Sequence, residues 1–155
     1  MNYKKLSEYI RMTIEAHQAN ALKPEKAIRT FPSGESNPYF SHPLWCAMTI
    51  LMETKLPESI RLPGAEALLF HDILEDTTAE LPVDLSQEVR DLVQSMTFDD
   101  FHTEVKETLN KPPLNQLLKL YDKTATLYDG VVKNKVSKEW YEYIQSLVIN
   151  VEKEY

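Results

Sequence analysis

The sequence predicts an all-α fold, a helical bundle in one domain spanning residues 1–155, and three observations carry that prediction. A chain of 155 residues is long enough to bury one core without staples and short for two. Its longer segments repeat apolar residues at intervals of three and four, the spacing of one helix face. No segment reads as a convincing strand, and no internal repeat or low-complexity tract interrupts the pattern.

Taken in order, Tyr3, Leu6, Ile10, Ile14 and His17 mark a first amphipathic helix reaching to about Leu22. His17 lies on its apolar face and is expected to be a core histidine. Residues 23–41 hold Pro24, Pro32, Gly34 and Pro38 among small polar residues and read as an irregular loop. Long loops in small domains are often functional. Arg29 is the side chain of interest there: its guanidinium either offers a planar donor fork to a phosphate or base edge, or is an ordinary surface group. Ser41-His42-Pro43 then reads as a helix start, with Ser41 as N-cap and proline in the first turn. His42 stands at the exposed end of that helix, from which it can reach a neighbour. Leu44, Trp45, Met48, Leu51 and Met52 carry the helix to about Lys55.

Residues 56–63, with two prolines, read as a connector into a central helix. From 62 to 74 the apolar residues fall on nearly every side, which is the pattern of a buried helix. Phe70-His71-Asp72-Ile73-Leu74-Glu75-Asp76-Thr77 interrupts it with one histidine and three carboxylates. On a continuous helix His71 and Glu75, and Asp72 and Asp76, are four apart, which turns all four groups into one sector. Buried carboxylates crowded together need a cation, a shared proton or water. Histidine with carboxylate suits manganese, iron or zinc. The alternative is a capped helix end, with the acids in an exposed turn beside Thr77 and His71 in the core; this stretch leaves both open.

After a loop over 77–85, Ser86 is expected to cap a helix running through Met96, with Val89, Leu92, Val93 and Met96 as its core stripe. Phe98-Asp99-Asp100-Phe101-His102 reads as a pocket rim or a polar linker, and His102 is not expected to be a ligand. A short helix over 103–109 and a break at Lys111-Pro112-Pro113 follow. A further helix from Leu114 carries Lys119 and Asp122. Asp122 follows an apolar run much as His71-Asp72 follows Leu68-Leu69-Phe70, so it is a candidate ligand facing the same centre. The last helix, from 137 to about 152, places Trp140, Tyr143, Ile144, Leu147, Val148 and Val151 on one face and closes the bundle.

The net charge is -7 and the sequence pI about 5.1, a balance that disfavours unaided binding to a nucleic-acid backbone. A small phosphate ester is still open to it through metal ions. The single Cys46 excludes an internal disulfide and reads as a small core residue, in keeping with a reducing cytoplasm. The first residues carry no apolar targeting segment, and no window approaches the roughly 18 apolar residues of a membrane span. The expectation is a cytoplasmic protein with no nucleic-acid or membrane partner.

A lone histidine, His-Asp about thirty residues on and a distant aspartate at the end of an apolar run form an order that resembles the HD superfamily of metal-dependent phosphohydrolases. The match extends further. Arg29 with Ser33-Gly34-Glu35, Pro38-Tyr39 and Ser41-His42-Pro43-Leu44 resembles the first loop of the RelA/SpoT-type alarmone hydrolases and their small stand-alone relatives. Ala67-Leu68-Leu69-Phe70-His71-Asp72 through Glu75-Asp76-Thr77 resembles their His-Asp helix, and Leu118-Lys119-Leu120-Tyr121-Asp122-Lys123 their Lys-Leu-Ala-Asp segment. Val93-Gln94-Ser95-Met96-Thr97 is a weaker fourth block.

The resemblance implies an HD-type helical fold holding one divalent metal ion, usually Mn2+, on His42, His71, Asp72 and Asp122. It implies that Glu75 and Asp76 position or activate the attacking water, and that Arg29, Lys119 and Thr126 are the substrate-binding positions. In alarmone hydrolases the arginine matching Arg29 helps hold guanine, and the reaction removes the 3'-pyrophosphate of ppGpp. The chain departs from the family where an asparagine that contacts the nucleotide is Thr126, where a basic residue is Phe98, and where a lysine is often found but Thr30 stands. The metal set is intact, and the nucleotide contacts are partly replaced. The expected function is therefore a nucleotide phosphohydrolase, first of ppGpp. The alternatives are an HD phosphohydrolase of another nucleotide or small phosphate ester, and a non-catalytic metal or nucleotide sensor. Sequence leaves the oligomeric state unassigned.

Overall fold

A glycine sets how closely the central helices approach. A Cβ on Gly64 would stand 2.9 Å from Ile50 Cδ1 and 3.1 Å from Leu118 Cδ2, so a larger residue here would push apart the helices that carry the site. Those helices are α2 (Ser41–Met52), α3 (Glu58–Phe70) and α7 (Pro113–Tyr128). In chain order the elements are α1 (Tyr3–Ala19), β1 (Ile28–Thr30), β2 (Ser36–Pro38), α2, α3, α4 (Ile73–Asp76), α5 (Gln87–Met96), α6 (Phe101–Thr108), α7 and α8 (Lys138–Glu154). A 3-10 turn at Pro24–Lys26 precedes β1. The computed structural model describes residues 3–31, 33–128 and 137–155; the loop residue Pro32 and the side chain of Tyr3 lie outside the described residues.

α3 is the axis, its Ala67, Leu68, Leu69 and Phe70 almost without exposure. Helices α2, α5 and α7 pack around it, and α8 lies on α7. From α1, Tyr9 meets Phe70 edge-on at 5.1 Å, and the Thr13 hydroxyl lies 3.3 Å from the Leu69 carbonyl, so the first helix clamps the end of the axis. Ser86 caps α5 as expected, its Oγ accepting from the Val89 amide, and Ser137 Oγ caps α8 by accepting from the Trp140 amide.

Four differences from the sequence reading have physical causes. The loop over 23–41 contains an antiparallel hairpin, Arg29 opposite Asn37, closed through Gly34 at φ +86°. Its strands are three residues long and largely exposed, so they carry no apolar alternation to read. The central helix starts at Glu58 and takes Pro63 inside it, at the cost of one early backbone bond. It breaks after Phe70, with His71 and Asp72 in the turn before α4. The cap of α2 is Phe40 rather than Ser41, whose hydroxyl donates to the Pro38 carbonyl, and His42 is buried rather than exposed because the hairpin and Tyr39 fold over the helix start.

Candidate metal centre

The break after Phe70 directs the His-Asp pair. With the helix interrupted, the His71 Nδ1–H donates to the Leu68 carbonyl at 2.6 Å, which fixes the ring tautomer and leaves Nε2 facing inward. Nε2 lies 3.1 Å from Asp72 Oδ1 and 3.7 Å from Asp122 Oδ1. Across the gap His42 Nε2 lies 3.1 Å from Asp122 Oδ1 and 3.9 Å from Asp72 Oδ2. The two imidazoles stand 5.3 Å apart. One donor atom each of His42, His71 and Asp72 falls within 4.8 Å of the others, and all three residues are buried.

Electrostatics shows what such a group lacks. Burial opposes ionisation of Asp72, but His71 and His42 overcome it and hold its carboxyl at about 2. Burial likewise opposes charge on His71, and Asp72 with Asp122 raises it to about 9. Asp122 is held well below the carboxylate range by Lys123 and Lys119 against its burial. Two carboxylates and two imidazoles packed this way call for positive charge at their centre, a proton or a cation. His71 Nε2 is buried with no hydrogen bond among the described residues, so a divalent ion fits the donor set.

The surrounding groups lock the pair in place. The Tyr39 hydroxyl donates to Asp72 Oδ2 at 3.2 Å. His17, buried as expected, stacks on Tyr39 at 4.9 Å and donates from Nδ1 to the Lys26 carbonyl. Glu75 and Asp76, one turn on in α4, each take a partner outside the His-Asp pair. Glu75 Oε1 accepts from the Phe98 amide at 2.7 Å, while Asp76 Oδ1 pairs with Lys26 Nζ at 2.7 Å. Burial pushes the Glu75 carboxyl up, against a pull from Lys119.

The substrate-side candidates separate. Arg29 lies with its guanidinium 5.2 Å over the Tyr39 ring, on a cavity of about 670 Å³ shared with Lys26 and Thr30. Lys119 is buried behind Asp122 with its ammonium 3.2 Å from Oδ2. The Thr126 hydroxyl donates to the Asp122 carbonyl at 3.1 Å, back onto its own helix. A second cavity, of about 520 Å³, is lined by Lys26, Glu75, Asp76, Phe98, Glu104 and Lys123 among others. His102 is exposed beside Glu139, and Cys46 is buried.

Sequence reasoning passed over Tyr39, Lys26, Lys123 and Glu104 as parts of the centre. Tyr39 stands one helical turn before His42, and Lys123 directly follows Asp122, so position alone signalled both. Glu104 gave a weaker sign, the i,i+4 partner of Thr108 on the inner face of α6.

No family model matches the chain, and no curated protein does. Among solved structures it is similar to one reported as a metazoan ortholog of SpoT that hydrolyzes ppGpp and plays a role in starvation responses. The two superpose with a TM-score of 0.67 at 18% identity, over 97% of this chain and 87% of the other. The chain shares the helical fold of that protein, and in this chain His42, His71, Asp72 and Asp122 converge where α2, the end of α3 and α7 meet.

Proposed function

We propose that the chain is a metal-dependent phosphohydrolase acting on a nucleotide, with ppGpp, cleaved at its 3'-pyrophosphate, as the first substrate. The observation that carries this reading is the buried His42–His71–Asp72 group, backed by Asp122, on a fold shared with a ppGpp hydrolase. A divalent ion held there, Mn2+ in preference to iron or zinc, supplies a Lewis acid that offsets charge on the phosphoryl oxygens.

The chain's own groups then divide the work. His42, His71, Asp72 and Asp122 hold the ion. Glu75, oriented by the Phe98 amide, acts as the carboxylate that takes the proton of the attacking water, and burial raises its affinity for that proton. Asp76, fixed by Lys26, lines the same cavity and orders that water. Arg29 and Lys26 meet the anionic part of the substrate beside Tyr39. Lys119 stands behind Asp122, and Thr126 keeps its place on the substrate-side helix.

A second reading keeps the metal chemistry and changes the substrate to another nucleotide or small phosphate ester. Phe98 on the cavity wall and the inward bond of Thr126 favour it. Incubating manganese-loaded protein with ppGpp and a panel of nucleotides and phosphate esters separates the readings. Pyrophosphate release from ppGpp is expected, and turnover confined to another compound would replace ppGpp. Tight nucleotide binding without product would instead favour a sensor.

A further inference from the structure

Behind the metal centre lies a closed ring of buried charge. Lys119 Nζ is 3.2 Å from Asp122 Oδ2 and 3.3 Å from Glu104 Oε2. Lys123 Nζ is 3.2 Å from the same Asp122 oxygen and 2.8 Å from Glu104 Oε1. Each lysine bridges both carboxylates, and each carboxylate takes both lysines. Glu104 and Lys119 are almost without exposure, and Lys123 is largely covered.

Two ammoniums at i,i+4 on one helix repel each other, and burial raises the cost. Asp122 offers them only Oδ2, because Oδ1 faces His42 and His71. Without a second carboxylate, the pair would draw Asp122 toward themselves and leave net positive charge behind the ion. Glu104, carried in from α6, is that second carboxylate.

We infer that Glu104 is a positioning residue of the metal centre, holding Lys119 and Lys123 so that Asp122 keeps Oδ1 turned to His42 and the ion. The inference rests on the reading of Asp122 as a metal ligand. Burial works against charge on both lysines, yet Asp122 and Glu104 keep them above the ordinary lysine range, which accords with a fully charged ring. Outer groups that orient a ligand commonly contribute about 10–100-fold to metal affinity.

The test is manganese titration of metal-stripped wild-type, Glu104→Gln and Glu104→Asp proteins by calorimetry, with thermal midpoints measured on the same samples. Glu104→Gln is expected to weaken manganese binding about tenfold or more. Glu104→Asp keeps the charge and is expected to regain most of that affinity even where its midpoint falls as far, which a packing role would not produce. Unchanged affinity in Glu104→Gln, or equal losses in both variants, would overturn the assignment alone. Wild-type protein that takes up no manganese would overturn the metal reading and this assignment together.

Discussion

The two walls of the candidate site are built differently. The metal wall, from α2, α3 and α7, is buried, and each charged group on it faces an opposite charge or an imidazole within 4 Å. The wall proposed to meet the substrate takes in the hairpin, residues 97–101 and Thr126; the hairpin and 97–101 open onto cavities, and the wall carries half-exposed groups. A buried charge that loses its partner costs several kcal/mol, so the first wall tolerates little change. The second has water as an alternative partner and can vary. That asymmetry accords with a sequence in which His42, His71, Asp72 and Asp122 fit the resemblance drawn above while Thr126, Phe98 and Thr30 depart from it.

Substitutions on the metal wall should break the comparison most sharply. Asp72→Asn removes a carboxylate that both histidines face and is expected to abolish metal uptake and turnover together, read by metal analysis and product release on one sample. Glu75→Gln stands on the border between the walls; it is expected to keep the metal and lose about 10²–10⁴-fold in kcat. Gly64→Leu forces α3 away from Ile50 and Leu118 and is expected to cost about 1–3 kcal/mol in denaturant unfolding.

Changes on the substrate wall should be milder and can improve function. Thr126→Asn offers an amide where the hydroxyl now turns back to the Asp122 carbonyl, and is expected to raise kcat/KM for ppGpp by up to about tenfold, the worth of one hydrogen bond. No gain would place the nucleotide elsewhere on this wall.

The smallest effect is a pH dependence confined to metal-free protein. His71 is raised from 6.5 to about 9, so the stability it contributes is complete below pH 6.5 and is lost as pH rises through about 9. Asp72 is lowered from 3.8 to about 2, so its contribution is present above pH 3.8 and lost as pH falls through about 2. Metal-free protein is expected to lose a few degrees of Tm between pH 6.5 and 9. Manganese, which takes the place of the His71 proton, should remove that slope.

What could be read from the chain follows the same division. Helix positions with apolar stripes were legible because burial imposes periodicity; Val89, Leu92, Val93 and Met96 are all buried as the spacing required. The meeting of His71, Asp72 and Asp122 at one buried spot was legible because charge after an apolar run conflicts with the core unless something compensates it. The break between Phe70 and Ile73 was not, since no glycine or proline marks it. The partners of Glu75 and Asp76, the Phe98 amide and Lys26, lie 23 and 50 residues away and were hidden too. The hairpin escaped because its two short strands present little apolar surface. Glu104 escaped because its partners lie 15 and 19 residues away, beyond any local pattern.

The most direct test is a manganese titration of metal-stripped wild-type and Asp72→Asn proteins. One ion bound per wild-type chain and none in the variant is the expected result. Equal binding by both proteins, or none by the wild type, would contradict a metal centre built on His42, His71, Asp72 and Asp122.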